Sequence, residues 1–470
     1  MRIILALSLV LSAHALTETD AEARLRMARQ IARERNDHSL VSEVEKLAAT
    51  FKSGLPKDAE SQLREVEVKV GIDPGGWSMA GQSLFHPTSE MEQKSRELSP
   101  RLQAAMADDD ATQVRAVVAE MTAALGDQAG VPDGRRMGRQ PKGTTFSEAE
   151  ATKLFLDVLK SEDRAMRSLM DGRLLPDQMV RLYSYVLSAC ADIRPFVAKH
   201  QPESLPQITQ LAEGCAKILT TLQQSDGHFP FPDLRGRNIR FGDMITRQVE
   251  AGKVEVKDGW VITADPDGGT QFDTGVCGRS LLLAGEVFKN EAWIAAGKRA
   301  AEWALGQKCC GNFNYNAFSV SLLANAYRLS KDERYLEGAW RKFRIGVAPG
   351  QAANGRWVDA HNARTVYHVI ILRALGDLTS VSKERREEIK VVSLPAIKAL
   401  LDEFDAMGIT VEALPELLTM WRLYPDDKRL KQAVATMAAS LIEKSTDGRR
   451  VKMGAQPDQL AALARAMKTE

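Results

Sequence analysis

Gln307-Lys308-Cys309-Cys310-Gly311-Asn312-Phe313 and Gln351-Ala352-Ala353-Asn354-Gly355-Arg356-Trp357 lie in one stretch, Arg299 to Tyr367, and share a pattern. Each reads Gln, three residues, Gly, one residue, aromatic. Gln224-Ser225-Asp226-Gly227-His228-Phe229 repeats it with two residues before the glycine. Each copy follows an amphipathic run carrying Ala, Leu or Trp. The later two copies start 44 residues apart and the earlier two 83 apart, about one and two periods of a repeat in the mid-forties. A period of that size marks stacked helix pairs.

Each part of the signature has a structural reason. A glycine just past a helix takes the left-handed conformation that closes the helix end. The Gln amide can bond orphan backbone groups there. The aromatic covers the end of a neighbouring helix. The repeat is therefore read as scaffold rather than as chemistry.

Gln followed by Gly and Trp or Phe after a helix resembles the "QW" repeat of terpenoid cyclases. It is also similar to the pattern in pectate lyases and six-hairpin glycosidase-like proteins built as α/α toroids. The resemblance covers roughly residues 207 to 378. It implies a barrel of helical hairpins with inner and outer rings, and it carries no catalytic motif residue by residue.

The expected fold is all-α, an α/α toroid over residues 146–470, with a helical N-terminal region at 16–126 and a linker at 127–145. Residues 1–15 read as an export signal: Arg2, then apolar Ile3 to Leu11, then Ala13-His14-Ala15 before the cut. That run is too short to span a bilayer, so the expectation is a secreted or periplasmic protein with no membrane insertion after cleavage. The linker carries Asp133-Gly134 and Pro141-Lys142-Gly143 without apolar period.

N-terminal amphipathic runs fall at Ala21–Arg35, Val41–Phe51 and Lys57–Val70, and Ile72-Asp73-Pro74-Gly75-Gly76-Trp77 breaks the last. Asp110 caps a helix to Leu125, so Asp108-Asp109-Asp110 reads as a solvated helix start rather than a cyclase acid motif. Ser147 and Glu150 form a capping box. Helices are expected at Ala292–Gln307, Asn316–Ser330, Glu333–Arg344, Asn362–Leu378, Lys383–Phe404, Val411–Leu423 and Lys428–Lys444. Between Gln224 and Phe272 the pattern changes. Phe229-Pro230-Phe231-Pro232 cannot be regular helix, and Val254–Ile262 with Lys257-Asp258-Gly259-Trp260 reads as a short hairpin. An insertion of this length is expected to cross one mouth of the ring.

Composition excludes some classes. Lys+Arg number 63 and Asp+Glu 62, so no global basic field exists for nucleic acid. The five cysteines, Cys190, Cys215, Cys277, Cys309 and Cys310, form no CxxC pair. Cys190 and Cys215 read as buried hydrophobes; the adjacent pair reads as two thiols, or as one paired with a distant cysteine. No HExxH motif or EF-hand loop occurs. Asp265-Pro266-Asp267-Gly268-Gly269 is a turn that could hold Ca²⁺; otherwise no cofactor is expected.

In a closed ring, equal phases of the repeat meet on one rim. The polar residues after each signature therefore form the candidate site: Asp226, His228, Asp233 and Arg235; Asp273 with Thr274; Asn312, Asn314, Tyr315 and Asn316; Trp357, Asp359, His361, Asn362, Arg364 and Tyr367. The last group is densest. Its plain structural reading is a capped helix start, with Asp359 or Asn362 as cap and Tyr367 in the core. Its functional reading is a sugar site. The catalytic candidates are His361, Arg364, Asp359, Asp226, Asp273 and Tyr367. The binding candidates are His228, Phe231, Asn314, Tyr315, Trp357 and Asn362, and Phe229 is a further ring that could stack on a sugar.

A uronide lyase needs a cation or amide on the substrate carboxylate and a base for the C5 proton. A hydrolase needs two carboxylates, here drawn from Asp226, Asp273 and Asp359. The leading expectation is elimination on a uronic-acid polysaccharide or oligosaccharide. The alternatives are a six-hairpin glycoside hydrolase, a non-catalytic carbohydrate-binding or scaffold protein, and a terpenoid-cyclase-like enzyme. The export signal and the missing acid motif oppose the last.

Overall fold

The computed structural model describes residues 37–56, 58–70, 88–132, 147–161, 163–175, 178–236, 239–263, 268–407, 413–446 and 457–467, with isolated positions between 21 and 33. The export signal, the turn at 72–77, most of the 127–145 linker and the acidic residues Asp265 and Asp267 lie outside them. Helices dominate. In the N-terminal region these are α1 (His38–Phe51), α2 (Ala59–Lys69), α3 (Ser89–Ala107) and α4 (Ala111–Leu125). Then follow α5 (Glu148–Ser161), α6 (Asp163–Met170), α7 (Val180–His200), α8 (Leu205–Leu222) and α9 (Ile239–Glu250). The second half holds α10 (Gly269–Phe288), α11 (Glu291–Gly306), α12 (Phe313–Ser330), α13 (Glu333–Gly346), α14 (Ala360–Ala363), α15 (Thr365–Val381), α16 (Arg386–Met407), α17 (Leu414–Leu423), α18 (Lys428–Thr446) and α19 (Pro457–Met467).

The packing closes a ring. Helix α7 packs on α10, α10 on α12, α12 on α15, α15 on α17, α17 on α19, and α19 back on α7. Around these six inner helices lie α8, α11, α13, α16, α18 and α5, each against an inner neighbour. The protein is thus an α/α toroid of six hairpins. The sixth is made by α19 pairing with α5, the last helix of the ring with the first. The expected toroid over 146–470 spans this element, but the expected helices stop at Lys444 and do not include it. Alternating direction makes all inner helices parallel, so their first turns share one rim.

Caps set the boundaries. Glu150 Oε2 accepts from the Ser147 amide at 2.8 Å while Ser147 Oγ accepts from the Glu150 amide at 3.2 Å, the expected capping box. Asp110 accepts from the Thr112 and Gln113 amides. The expected hairpin forms: β2 (Val256–Lys257) and β3 (Trp260–Val261) are antiparallel, with β3 also pairing β1 (Phe231–Pro232). Asp258 and Gly259, at φ +50° and +82°, make the tight turn that an Asp-Gly pair favours. Helix α9, unexpected within this insertion, contributes Ile245 to a small core with Leu234 and Val261.

The signature is a real device, with two corrections. Gln351 Nε2 donates to the Gly355 and Val392 carbonyls at 3.1 and 2.9 Å. Gln223, not Gln224, makes the same pair of bonds, to the Gly227 and Ala296 carbonyls at 2.9 Å each. Gly227 and Gly355 have φ of +104° and +82°, and a Cβ on either would sit 2.3 Å from a carbonyl of the next outer helix, Arg299 or Pro395. These turns thus fasten successive hairpins edge to edge. The copy at Gln307 does not: its Nε2 reaches only the Trp303 carbonyl, at 3.3 Å. The second correction is to the period. Only one hairpin separates the first two copies; the insertion makes up the rest of the 83 residues.

The ring has one continuous core, with Trp340, Trp357, Tyr183 and Phe155 among its largest buried side chains. Each such group contributes ~1.5–3 kcal/mol when removed from water. Leu98, Leu102, Met106, Val117 and Met121 of α3 and α4 belong to that same core, whereas α1 and α2 make a separate small cluster around Leu63. The boundary at residue 126 therefore does not coincide with a break in packing. All five cysteines are buried free thiols, and burial pushes Cys190, Cys215, Cys277 and Cys309 up, away from the reactive thiolate.

Candidate functional site

The rim where the inner helices begin carries a continuous arc of polar and aromatic side chains. It starts in the first turn of α7 with Arg181. Arg181 Nε donates to Asp273 Oδ1 at 2.6 Å and Nη2 donates to Oδ2 at 3.1 Å, a bidentate pair between α7 and α10. The guanidinium lies flat over Phe272, 3.6 Å from its centroid, with Phe231 of the insertion at 5.9 Å. Phe272 in turn stacks on Phe318 at 4.1 Å and faces Tyr315 at 6.1 Å. Burial opposes the charge on Arg181, but the Asp273 carboxylate outweighs it and holds the guanidinium protonated, its pKa raised. Asp273 is buried beneath this collar.

From Tyr315 the arc passes to its neighbour Asn314. Asn362 Oδ1 accepts from the Asn314 amide at 3.0 Å and from its Nδ2 at 2.8 Å. Asn362 Nδ2 donates to both Asp359 oxygens at 3.0 Å, and Asp359 also caps α14 by accepting from the Asn362 amide at 2.8 Å. One turn on, the His361 and Tyr367 rings stack with centroids 4.2 Å apart. Arg364 supplies the break between α14 and α15; its carbonyl accepts from the Tyr367 and His368 amides. Contacts thus join Asn314, Asn362 and Asp359 in one group and His361 with Tyr367 in another.

The other candidates named at the first and last signatures fall elsewhere. His228 is buried between Trp303 of outer helix α11, 5.8 Å away, and the insertion, where its Nε2 meets the Ile262 carbonyl at 2.9 Å. Its Nδ1 meets Asp226 at 2.6 Å. This pair fastens the insertion to the outer layer and does not join the arc. Trp357 is fully buried, with its indole donating to the Val347 carbonyl at 2.9 Å. Its place matches that of Phe229 in the equivalent turn, and both are core rings. Asp233 pairs with Arg235 on the insertion.

Further along the inner helices lie two more charge pairs. Arg279 of α10 reaches across α12 to Asp377 of α15 at 2.8 Å, where Ser321 also donates. Arg373 of α15 pairs with Glu416 of α17. Arg181 was absent from the sequence-derived candidates; the signal was a charge inside the apolar run Met179–Leu187. Among the described residues no group of three or more His, Cys, Asp or Glu could hold a metal ion, and no helix is long and apolar enough to cross a membrane.

No protein-family description matches the chain, and no curated protein does. Several solved structures resemble it. A family 76 glycoside hydrolase from a bovine Bacteroides thetaiotaomicron strain is 11% identical, with 69% of this chain and 79% of that one covered and a TM-score of 0.47. A polysaccharide lyase is 11% identical over 68% and 96%, with a TM-score of 0.42. The cellobiose 2-epimerase of Spirochaeta thermophila is 11% identical over 76% and 98%, with a TM-score of 0.41.

Proposed function

We propose that the protein is an exported carbohydrate-active enzyme that cleaves a uronic-acid-containing chain by β-elimination at the rim arc. The observation that carries this reading is the stacked His361–Tyr367 pair set in an arc whose two carboxylates are both already committed. Asp273 gives both oxygens to one guanidinium, and Asp359 gives both to Asn362. A glycoside hydrolase needs one carboxyl that carries a proton to the leaving oxygen and another free to act as base or nucleophile. A carboxylate held by donors stays ionised, so neither Asp273 nor Asp359 is suited to carry the acid's proton. Elimination needs neither.

In this reading Tyr367 or neutral His361 removes the C5 proton of a uronate. The electron pair forms the C4–C5 double bond, the C4–O bond breaks, and the departing oxygen takes a proton from the partner ring. Arg364, which lies between them in sequence, is assigned to neutralise the substrate carboxylate, which makes the C5 proton more acidic. Phe231 and Tyr315, both half-buried, offer faces to the apolar sides of sugars.

The test is incubation with polygalacturonate, alginate, chondroitin sulfate and a neutral glucan, following the ultraviolet absorbance of the new double bond. Wild type should release unsaturated uronide from at least one acidic polymer. His361→Ala and Tyr367→Phe should lower that rate by roughly 10²–10⁴ with unchanged helical circular dichroism. Reducing sugar released without unsaturation, abolished by Asp359→Asn, would favour hydrolysis. No turnover on any polymer would leave a binding protein.

A further inference from the structure

We propose that Arg181 is a receptor for a substrate carboxylate, at a subsite removed from the reacting sugar, with Asp273 as the residue that positions it. The inference rests on the functional reading above and names a part of the site that reading does not use. Nε and one Nη of Arg181 are spent on Asp273. The remaining Nη has no acceptor among the described residues. The side chain keeps 16% of its surface exposed while Asp273 keeps 4%. One edge of the guanidinium is thus anchored on Asp273 and one face lies on Phe272, which leaves the other edge with an unpaired Nη.

That is how a carboxylate receptor is built. A guanidinium presents donors in a rigid fork, and a fork whose far side is pinned loses little freedom on binding. The charge is also not available to solvent from every side, so an anion meeting it replaces little water. A purely structural pair between α7 and α10 would need no open edge.

Position fixes which carboxylate it meets. Around the inner ring the order is α7, α10, α12, α15. Arg181 and Tyr367 open helices three places apart, on opposite sides of a six-membered ring. With neighbouring axes roughly 8–10 Å apart, opposite axes are about twice that distance. One sugar carboxylate cannot serve both. The chain that fits carries acidic groups on more than one unit, so a run of uronates is favoured over an isolated one.

The experiment measures binding by isothermal calorimetry of trigalacturonate, its methyl ester and digalacturonate to the full-length protein at a pH where turnover is negligible. The double variant Arg181→Gln/Asp273→Asn keeps a hydrogen-bonded pair of similar shape without either charge, which guards the fold. Arg181→Gln alone is run beside it. Wild type should bind trigalacturonate more tightly than the ester. Both variants should weaken trigalacturonate by roughly ten- to a hundred-fold, the worth of a charge-assisted hydrogen bond, and leave the ester and digalacturonate nearly unchanged. If the variants bind trigalacturonate as wild type does, or lose all three ligands equally with the melting temperature, Arg181 is structural and this inference falls while the functional reading stands. If wild type binds none of the three, and none of the matching alginate oligomers, both fall together.

Discussion

At the residue scale, His368 shows how burial fixes a protonation state. It sits in α15, fully buried, with Nε2 against the Ala396 carbonyl at 2.8 Å and its ring edge-on to Trp357 at 5.3 Å. Burial, helped by the nearby Arg356 cation, drives its pKa well below 6.5. The sign follows from linkage. Above pH 6.5 the imidazole is neutral in both states and costs nothing. Below it the unfolded chain binds a proton that the folded chain refuses, so stability falls as pH falls, by up to about 1.4 kcal/mol per pH unit. His368→Phe keeps the ring and removes the titration. Its melting temperature should fall less steeply than wild type between pH 6.5 and 4.5; parallel curves would contradict the assignment. Gly355 makes a second residue-scale test. At φ +82°, with Pro395's carbonyl 2.3 Å from any Cβ, Gly355→Ala should cost about 1–3 kcal/mol in chemical denaturation. A cost below half a kilocalorie would mean that the turn gives way freely.

At the element scale, the hairpin α3–α4 is part of the ring's wall. Its Gln103 accepts from the Gly311 amide, Asp109 pairs with Arg341 at 2.8 Å, and the Gly130 amide donates to the Val358 carbonyl at 3.0 Å. Removing residues 1–87 should leave a soluble ring with near-wild-type melting. Removing 1–126 should expose the core around Met106 and Met121 and give aggregation or a large loss in melting temperature. Equal stability of the two truncations would show that the hairpin is dispensable. Legibility was uneven at this scale for physical reasons. Caps and tight turns are decided within four residues, so Ser147, Asp110 and Asp258-Gly259 could be read directly. The turn at Gln223 was misplaced by one because two adjacent glutamines compete for the role, and only contact with Ala296 of another hairpin decides between them.

At the scale of the whole molecule, the ring is held shut by its ends. Helix α19 packs on α5 and α7, some 270–310 residues earlier. No local pattern reveals such a contact. The pairing of Arg181 with Asp273 was hidden likewise, since the two lie 92 residues apart. The rim, by contrast, was foreseeable, because a repeat of fixed phase places its loops together once the ring closes. Ending the chain at Thr446 should open the ring and abolish cooperative thermal unfolding; a sharp wild-type transition would show that α19 is dispensable.

Whether the rim arc is where ligand sits is open to one direct measurement: hydrogen–deuterium exchange of wild type with and without an acidic oligosaccharide that binds. Protection should concentrate at 179–185, 230–232, 271–275, 312–316 and 359–367, the segments that bring Arg181, Phe231, Asp273, Tyr315 and Tyr367 to the mouth. The turn at 223–228, with Asp226 and His228, should show none. Protection confined to that turn or to the outer helices, with the rim unchanged, would contradict the account.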